Sequence, residues 1–250
     1  MLKDPKRVAV EISDWIQDYA HDAGIKSLVV GVSGGIDSAI VYRLCQMTDL
    51  PVIPVFLPMN QKQDDMLRPL VESLVGFPDI LTSFIYYDLL PLDKKLTNVD
   101  KINDKAIGNY SARMRMAKLY LIAELNHGIV VGTTNAPEWL IGYFTKWGDG
   151  AVDIEPIKGL LKSEVYQLGK DGFDNPVPES ILNVAPSANL WEGQTDEGEL
   201  GIKYCDLDSS CVGENIGTVL AAAIAKMVIS NSHKKCETPS IDVEEAGKWR

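Results

Sequence analysis

The stretch Leu28-Val29-Val30-Gly31-Val32-Ser33-Gly34-Gly35-Ile36-Asp37-Ser38 decides the fold of this chain. An apolar run typical of a buried strand leads into a turn rich in glycine and serine, and a segment of helical periodicity follows over 39–47. Such a turn directs several backbone N–H groups and the positive end of a helix dipole at one point, where a phosphate binds. The order strand, turn, helix therefore predicts a phosphate loop over 31–38.

This loop differs from two common nucleotide-binding fingerprints. It is not a Walker A loop, because no Gly-Lys-Ser/Thr follows, and it lacks the spacing of G-x-G-x-x-G. Ser33-Gly34-Gly35-x-Asp37-Ser38 instead resembles the pyrophosphate loop of the N-type ATP pyrophosphatases, which split ATP between its α- and β-phosphates. The alternative is an ordinary turn between strand and helix that happens to be rich in glycine and serine.

The rest of the chain alternates short apolar runs with segments of helical periodicity. We predict strands at 27–32, 52–57, 80–86 and 128–133, and helices at 6–21, from the loop to about 48, and at 61–75, 103–126 and 212–230. Residues 172–201 are predicted to be loops and short helices. This order predicts an α/β fold with a doubly wound parallel sheet flanked by helices, in a single domain over 1–250. Ligands bind such sheets beyond the C-terminal strand ends, where both the loop and Thr133 lie.

Composition narrows the function classes. The chain has 250 residues, 46% of them hydrophobic, and a net charge of −11, which argues against binding nucleic acid through an overall positive field. We find no apolar run of membrane-spanning length and no signal-peptide core, so we expect a cytoplasmic protein with no nucleic-acid and no membrane partner. The four cysteines are scattered without a C-x-x-C pair and are predicted to be free thiols.

A series of motifs beyond the loop identifies a family. Phe144-Thr145-Lys146 with Gly148-Asp149-Gly150, and Gln194-Thr195-Asp196-Glu197, are the most specific of them. Further matching segments lie at 109–116, 132–138, 153–157, 185–190 and 233–234. In this order the motifs closely resemble ammonia-dependent NAD synthetases over roughly residues 5 to 250.

The resemblance implies a reaction and its partners. ATP would adenylate the carboxylate of nicotinic acid adenine dinucleotide and release pyrophosphate, and ammonia would displace AMP to give NAD in the final step of NAD biosynthesis. It further implies a Rossmann-like fold of the adenine nucleotide alpha-hydrolase type, Mg²⁺ as cofactor, and a homodimer whose dinucleotide site lies at the subunit interface. Free ammonia is the expected nitrogen donor.

The resemblance also assigns roles to individual residues. The ATP site would comprise the residues Gly31, Val32, Ser33, Gly34, Gly35, Ile36, Asp37, Ser38, Thr133, Lys162 and Ser187. Asp37 and Glu138 would bind Mg²⁺, which prefers carboxylate and phosphate oxygens. As alternatives, Asp37 is an acid favoured by the helix dipole, Glu138 and Lys162 are solvated, and Thr133 is only a turn residue. Ser187 stands where the family typically has threonine, and its hydroxyl is retained.

Five further residues match contacts to the dinucleotide: Arg113, Lys146, Asp153, His233 and Lys234. Four of them have a plainer alternative: Arg113 as a surface arginine, Asp153 as a structural cap, and His233 and Lys234 as the basic end of a helix. The acidic segment with Glu192, Asp196, Glu197 and Glu199 is expected to be a mobile loop.

Two other functions compete with this interpretation. One is a different ATP pyrophosphatase, either a GMP synthetase-like amidotransferase part or an enzyme that thiolates RNA. Thiolation would need a cysteine pair or a catalytic cysteine and a basic surface, whereas this chain is acidic and its cysteines are dispersed. The other is a nucleotide sensor without catalysis, although all the charged positions expected of an enzyme are present.

Overall fold

The computed structural model describes residues 1–76, 80–82, 103–187 and 193–238. Its four parallel strands form one sheet: β1 (Ser27–Gly31), β2 (Val52–Phe56), β3 (Leu81–Thr82) and β4 (Gly128–Val131). All four predicted strands are confirmed with slightly shorter bounds, while residues 83–86 of the third lie outside the described residues.

The helices account for most of the remaining described chain. They are α1 (Pro5–Asp22), α2 (Ile36–Gln46), α3 (Gln61–Val75), α4 (Asp104–Leu125), α5 (Ala136–Ile141), α6 (Lys162–Asp171), α7 (Glu179–Leu182), α8 (Asp196–Leu200), α9 (Tyr204–Cys211) and α10 (Thr218–Asn231), followed by a 3-10 turn at Ser232–Lys234. The predicted helix at 212–230 is wrong in its first turns. Gly213 and Gly217 adopt φ angles of 76° and 80° there, in the left-handed region that ends a helix.

The strand order β3-β2-β1-β4 determines where a ligand binds. The chain builds β1, β2 and β3 outward in one direction and then places β4 on the free side of β1. The order therefore reverses between β1 and β4, and such a switch point opens a crevice at the C-terminal strand ends. The phosphate loop follows β1, and Thr133 follows β4, so both border this crevice.

Helices cover both faces of the sheet. Leu28 and Val30 point into one cluster, which holds the buried sides of α1, α2, α3 and α6. Val29 points the other way, against Leu119 and Ala123 of α4. Because the side chains of a strand alternate between faces, β1 is buried on both sides, as expected for the centre of a parallel sheet. The doubly wound α/β fold predicted from the sequence is confirmed.

A smaller apolar cluster joins the C-terminal helices to the end of the sheet. Ile141 of α5 packs there with Leu207 of α9 and Ile224 of α10. Helix α9 also contacts α6. This cluster brings the polar residues of α8 and α9 to the edge of the crevice.

The cysteines and the apolarity of the helices can be compared with the sequence predictions. All four cysteines are free thiols, as predicted, and Cys45 is buried in the main core. Within the described ranges, no helix combines the length and apolarity needed to cross a bilayer.

The main core predicts a large penalty for truncating its fully buried side chains. Leu44 on α2 is 0% exposed, so Leu44→Ala should lower the free energy of unfolding by about 2–5 kcal/mol through lost burial and a residual cavity. Val10 on α1 is 46% exposed, and Val10→Ala serves as the control, with an expected change within about 0.5 kcal/mol. Urea unfolding measures both, and equal losses would contradict the assignment of the core.

Candidate active site

The phosphate loop is braced by its own serines. Ser38 Oγ accepts a hydrogen bond from the Ser33 backbone N–H at 3.1 Å and donates to the Gly35 carbonyl at 3.0 Å. Ser33 Oγ lies 3.1 Å from Ser38 Oγ and accepts from the Gly35 N–H. Gly34 has a φ of 84°, which side-chain-bearing residues rarely adopt, so its glycine is required by the turn.

The N-terminus of α2 is open toward the crevice. Gly35 occupies the N-cap position, and no side chain caps the helix. The first N–H groups of a helix have no partner within the helix itself, and together with the dipole they form an anion site. The loop and α2 therefore present a cradle of donors where β1 ends, as the sequence predicts.

Asp37, Glu138 and Lys162 meet beside this cradle. Lys162 Nζ lies 2.5 Å from Asp37 Oδ2 and 3.7 Å from Glu138 Oε1. The lysine side chain is 3% exposed, and the carboxylates are 20% and 15% exposed. A solvated Lys162 and a solvated Glu138, the two plainer alternatives, are therefore wrong.

Local helix chemistry holds the two carboxylates in place. Asn135 is the N-cap of α5, and it exchanges hydrogen bonds with Glu138 in a capping box. The Asn135 amide also donates to Asp37 Oδ1 at 2.9 Å, which ties the start of α5 to the start of α2. One asparagine thus orients both predicted metal-binding residues.

Burial and charge act against each other in this cluster. Burial raises the pKa of Glu138, and the neighbouring charge of Asp37 raises it further, while Lys162 opposes the shift. Burial alone would lower the pKa of Lys162, but the charges of Asp37 and Glu138 outweigh it and raise that pKa above its usual value. Lys162 is consequently a permanent cation at neutral pH, suited to binding phosphate.

Sequence reasoning missed Tyr204 and misjudged Asp196. The Tyr204 hydroxyl lies 2.9 Å from Asp196 Oδ2 and 3.1 Å from Glu138 Oε1, and its ring lies 4.7 Å from Lys162 Nζ. Asp196 is 4% exposed and begins α8. The expected mobile acidic loop is therefore wrong for 196–199, because these carboxylates are held by tyrosines and backbone; Glu192 lies outside the described residues.

Partners of Glu197 and Glu199 complete this polar network. Glu197 accepts from the Tyr204 backbone N–H at 2.9 Å. Glu199 accepts from the Tyr143 hydroxyl at 2.8 Å and from the Gln194 amide at 2.6 Å. The only sequence signal for this arrangement is the motif at 194–197 itself.

One cavity of about 780 Å³ joins the loop to the C-terminal helices. All eight loop residues line it, together with Thr133, Glu138 and Ser187. Ser187 Oγ donates to the Gln194 carbonyl at 2.7 Å. Arg115 of α4 also lines the cavity, where it donates to the Leu57 carbonyl at the end of β2. Its volume lies within the range typical of sites that bind small molecules and cofactors.

Four of the five dinucleotide candidates lie together, but mostly outside this cavity. Arg113 donates to the Lys146 carbonyl at 3.2 Å, and Lys146 Nζ donates to the His233 carbonyl at 2.7 Å. Lys234 Nζ donates to the Gly142 and Phe144 carbonyls and is the one member of the five that lines the cavity.

Asp153 stands apart from the other four. Its carboxylate accepts from the Val130 N–H at 2.7 Å and lies 3.2 Å from the Tyr120 hydroxyl, so it caps the backbone of β4. These contacts are those of a structural cap, which is the plainer interpretation of Asp153.

A divalent cation would find hard oxygen ligands at the cluster. Among the residues that the structure describes, no three His, Cys, Asp or Glu side chains form a complete cation site. Asp37 and Glu138 nevertheless converge on one point, at which the Lys162 ammonium now lies. Mg²⁺ commonly binds one or two carboxylates and completes its shell with phosphate and water, so these residues fit Mg²⁺ bound together with ATP.

Comparison with known proteins agrees with this geometry. Residues 8–237 match the family described as NAD synthase. An NH₃-dependent NAD⁺ synthetase from Alkaliphilus metalliredigens is 39% identical over 90% of this chain and 94% of its own.

Two solved structures extend the comparison to the backbone. The NMN synthetase from Francisella tularensis has a TM-score of 0.85 and 37% identity, covering 96% of this chain and 99% of its own. The NH₃-dependent NAD synthetase from Campylobacter jejuni, solved with nitrate, has a TM-score of 0.73 and 25% identity, covering 96% and 100%. Because the family match spans most of the chain and a relative shares 39% of its residues over nearly the full length of both, the chain belongs to the NAD synthase family.

Proposed function

We propose that this chain catalyses the ATP-dependent amidation of nicotinic acid adenine dinucleotide by ammonia, giving NAD, AMP and pyrophosphate in the final step of NAD biosynthesis. One observation carries the proposal: the phosphate loop and the two carboxylates that pair with Lys162 border the same cavity as Lys234. The proposed site for the ATP phosphates is thus continuous with Lys234, a residue that we expect to contact the dinucleotide. We propose that residues 1–250 act as one domain in this reaction.

The reaction proceeds in two balanced steps. A carboxylate oxygen of the nicotinate ring attacks the α-phosphorus of ATP, and the bond to the β-phosphate oxygen breaks, which releases pyrophosphate. Ammonia then adds to the activated carbonyl carbon, the bond to AMP breaks, and one proton is lost. Catalysis of the first step depends chiefly on positioning two polyanions and neutralising their charge.

The residues of the chain divide this work. The N–H groups of the loop and of α2 hold the phosphates, and Lys162 neutralises the charge that moves onto pyrophosphate. Asp37 and Glu138 would hold Mg²⁺, which supplies further charge neutralisation when it is bound with ATP. Thr133 and Ser187 also line the cavity, and each has a hydroxyl group to offer the nucleotide.

A nicotinate mononucleotide is a second candidate substrate. The F. tularensis NMN synthetase is more similar to this chain in sequence and in backbone than the C. jejuni NAD synthetase is. The mononucleotide and the dinucleotide carry the same nicotinate carboxylate, so the ATP half of the site does not distinguish them. The discriminating part of the substrate is the adenylyl group, which only the dinucleotide carries.

We further propose that the chain works as a homodimer. Of the 14 residues of α10, only Ile224 is buried, although the helix is strongly apolar. On α4, Leu121 and Leu125 are 59% and 72% exposed. Apolar faces of this kind are typical of subunit interfaces, and a two-fold axis would repeat each contact. Arg113, Lys146 and His233 do not line the cavity of their own chain. This position favours a role in binding the dinucleotide at the site of the partner subunit.

The first prediction concerns substrate and products. With ATP, ammonia and Mg²⁺, the purified protein should amidate the dinucleotide with a higher kcat/KM than the mononucleotide, and release AMP and pyrophosphate in equal amounts. Chromatography of the nucleotides and a pyrophosphate assay measure both. A preference for the mononucleotide would select the second candidate, and formation of ADP and phosphate would contradict both candidates.

The second prediction concerns the carboxylate at the phosphate loop. Asp37→Ala should lower turnover at least about 100-fold, as expected for loss of one strong electrostatic contribution. Asp18→Ala on the exposed side of α1 is the matched control and should retain normal turnover. Steady-state rates at several Mg²⁺ concentrations test this, with circular dichroism to verify folding; near-normal turnover of folded Asp37→Ala would count against the role.

The third prediction concerns the shared site. Variants altered at Arg113 and at Asp37, each inactive alone, should recover activity when co-expressed if the two residues serve one site from different chains. Half of the randomly formed dimers are mixed, and each holds one intact site, so recovery should reach about a quarter of normal activity.

The control for this experiment uses two residues that touch within one chain. Asp37 and Lys162 lie 2.5 Å apart, so co-expressing their variants leaves a lesion in every site and should restore nothing. A monomer by light scattering at micromolar concentration would refute the dimer, and absent recovery with Arg113 would refute the sharing.

A further inference from the structure

Helix α9 contacts Lys162 at two places, its backbone N–H and its side-chain ammonium. Asp208, in the middle of α9, accepts hydrogen bonds from the backbone N–H groups of Lys162 and Ser163 at 2.8 and 2.9 Å. Tyr204, one turn earlier on the same face of α9, places its ring 4.7 Å from Lys162 Nζ. All three side chains are largely buried, with exposures of 8%, 6% and 3% for Asp208, Tyr204 and Lys162.

The contact to the backbone supplies the N-terminal cap that α6 lacks in its own sequence. Lys162 is the first residue of that helix, and its N-cap is Leu161, whose side chain offers no acceptor. A positive side chain at a helix N-terminus is also unfavourable for the dipole. Asp208 supplies the missing acceptors and a negative charge from another helix, so the backbone from which the lysine extends is fixed.

The contact to the ammonium has a different character. A cation over an aromatic face within about 6 Å is attracted to it, and burial strengthens this attraction. The Tyr204 hydroxyl lies within hydrogen-bond distance of the Glu138 and Asp196 carboxylates, and these contacts fix the plane of the ring. The ring therefore limits how far Lys162 Nζ swings from the cleft between Asp37 and Glu138.

We propose that Tyr204 and Asp208 are positioning residues that hold Lys162, from one face of α9, in the place where it meets the phosphates of ATP. This inference rests on the proposed function in taking ATP as the ligand of Lys162. Asp208 contacts the backbone of Lys162 and Tyr204 contacts its ammonium, so each acts through the lysine rather than by touching the nucleotide.

A double-mutant cycle on nucleotide binding tests this role. The measurement is the Kd for the non-hydrolysable analogue α,β-methylene-ATP with Mg²⁺, by calorimetry on the full chain. Asp208→Asn should weaken binding about 10-fold in the otherwise unchanged protein, the size expected for loss of a charge-assisted hydrogen-bond pair. In a Lys162→Met background the same change should cost less than about 2-fold, because the residue through which it acts is gone.

Matched variants separate positioning from general damage. Asp206 lies on the same helix without a contact to Lys162, and Asp206→Asn should leave binding unchanged in both backgrounds. Tyr204→Leu should weaken binding and Tyr204→Phe, which keeps the ring, should restore most of it. This provides an independent route should Asp208→Asn fail to fold.

The outcomes distinguish this inference from the proposed function. If Asp208→Asn and Tyr204→Leu weaken binding equally with and without Lys162, the losses are structural and the positioning role is overturned. If the unaltered protein binds the analogue normally but neither variant changes the Kd, the inference is likewise overturned while the proposed function stands. If the unaltered protein does not bind the analogue, both are contradicted.

Discussion

The buried ion pair between Lys162 and Asp37 is the interaction on which the site depends. It joins the first turn of α2 to the first turn of α6, two segments 125 residues apart in the chain. An ammonium ion at 3% exposure is stable only beside compensating charge, and Asp37 and Glu138 provide it. Asp37 and Glu138 also line the cavity at the phosphate cradle, so the carboxylates that stabilise the buried ammonium ion belong to the proposed nucleotide site.

The sheet topology explains why these groups meet at all. Asp37 follows β1 and Glu138 follows β4, and these strands are neighbours only because the strand order reverses between them. A crevice at that reversal receives residues from both halves of the chain. The capping box at Asn135 then uses ordinary helix chemistry to aim Glu138 at Asp37, so the same hydrogen bonds that start α5 also build the site.

Much of this could be predicted from the sequence, because the signals are local. The apolar run before the loop, the glycine at Gly34 and the periodicity of α4 each appear within a few adjacent residues. The roles of Tyr204 and Asp208 could not, because their partners lie 66 and 46 residues away and a tyrosine or aspartate on a short polar helix has no distinctive pattern. The prediction of a mobile acidic loop failed at Asp196 because its acidic neighbours suggest exposure to solvent, whereas the fold brings Tyr143, 53 residues away, and Tyr204 of the next helix into hydrogen-bond distance.

The central position of β1 also determines how stable the phosphate cradle is against local unfolding. This strand is hydrogen-bonded to β2 on one side and β4 on the other, and helices cover both of its faces. Its amide protons therefore exchange with solvent only when the whole core opens, the slowest class of exchange in a globular protein. Since the loop extends directly from this strand, the spacing of its donors persists from one turnover to the next and need not be rebuilt each time pyrophosphate departs.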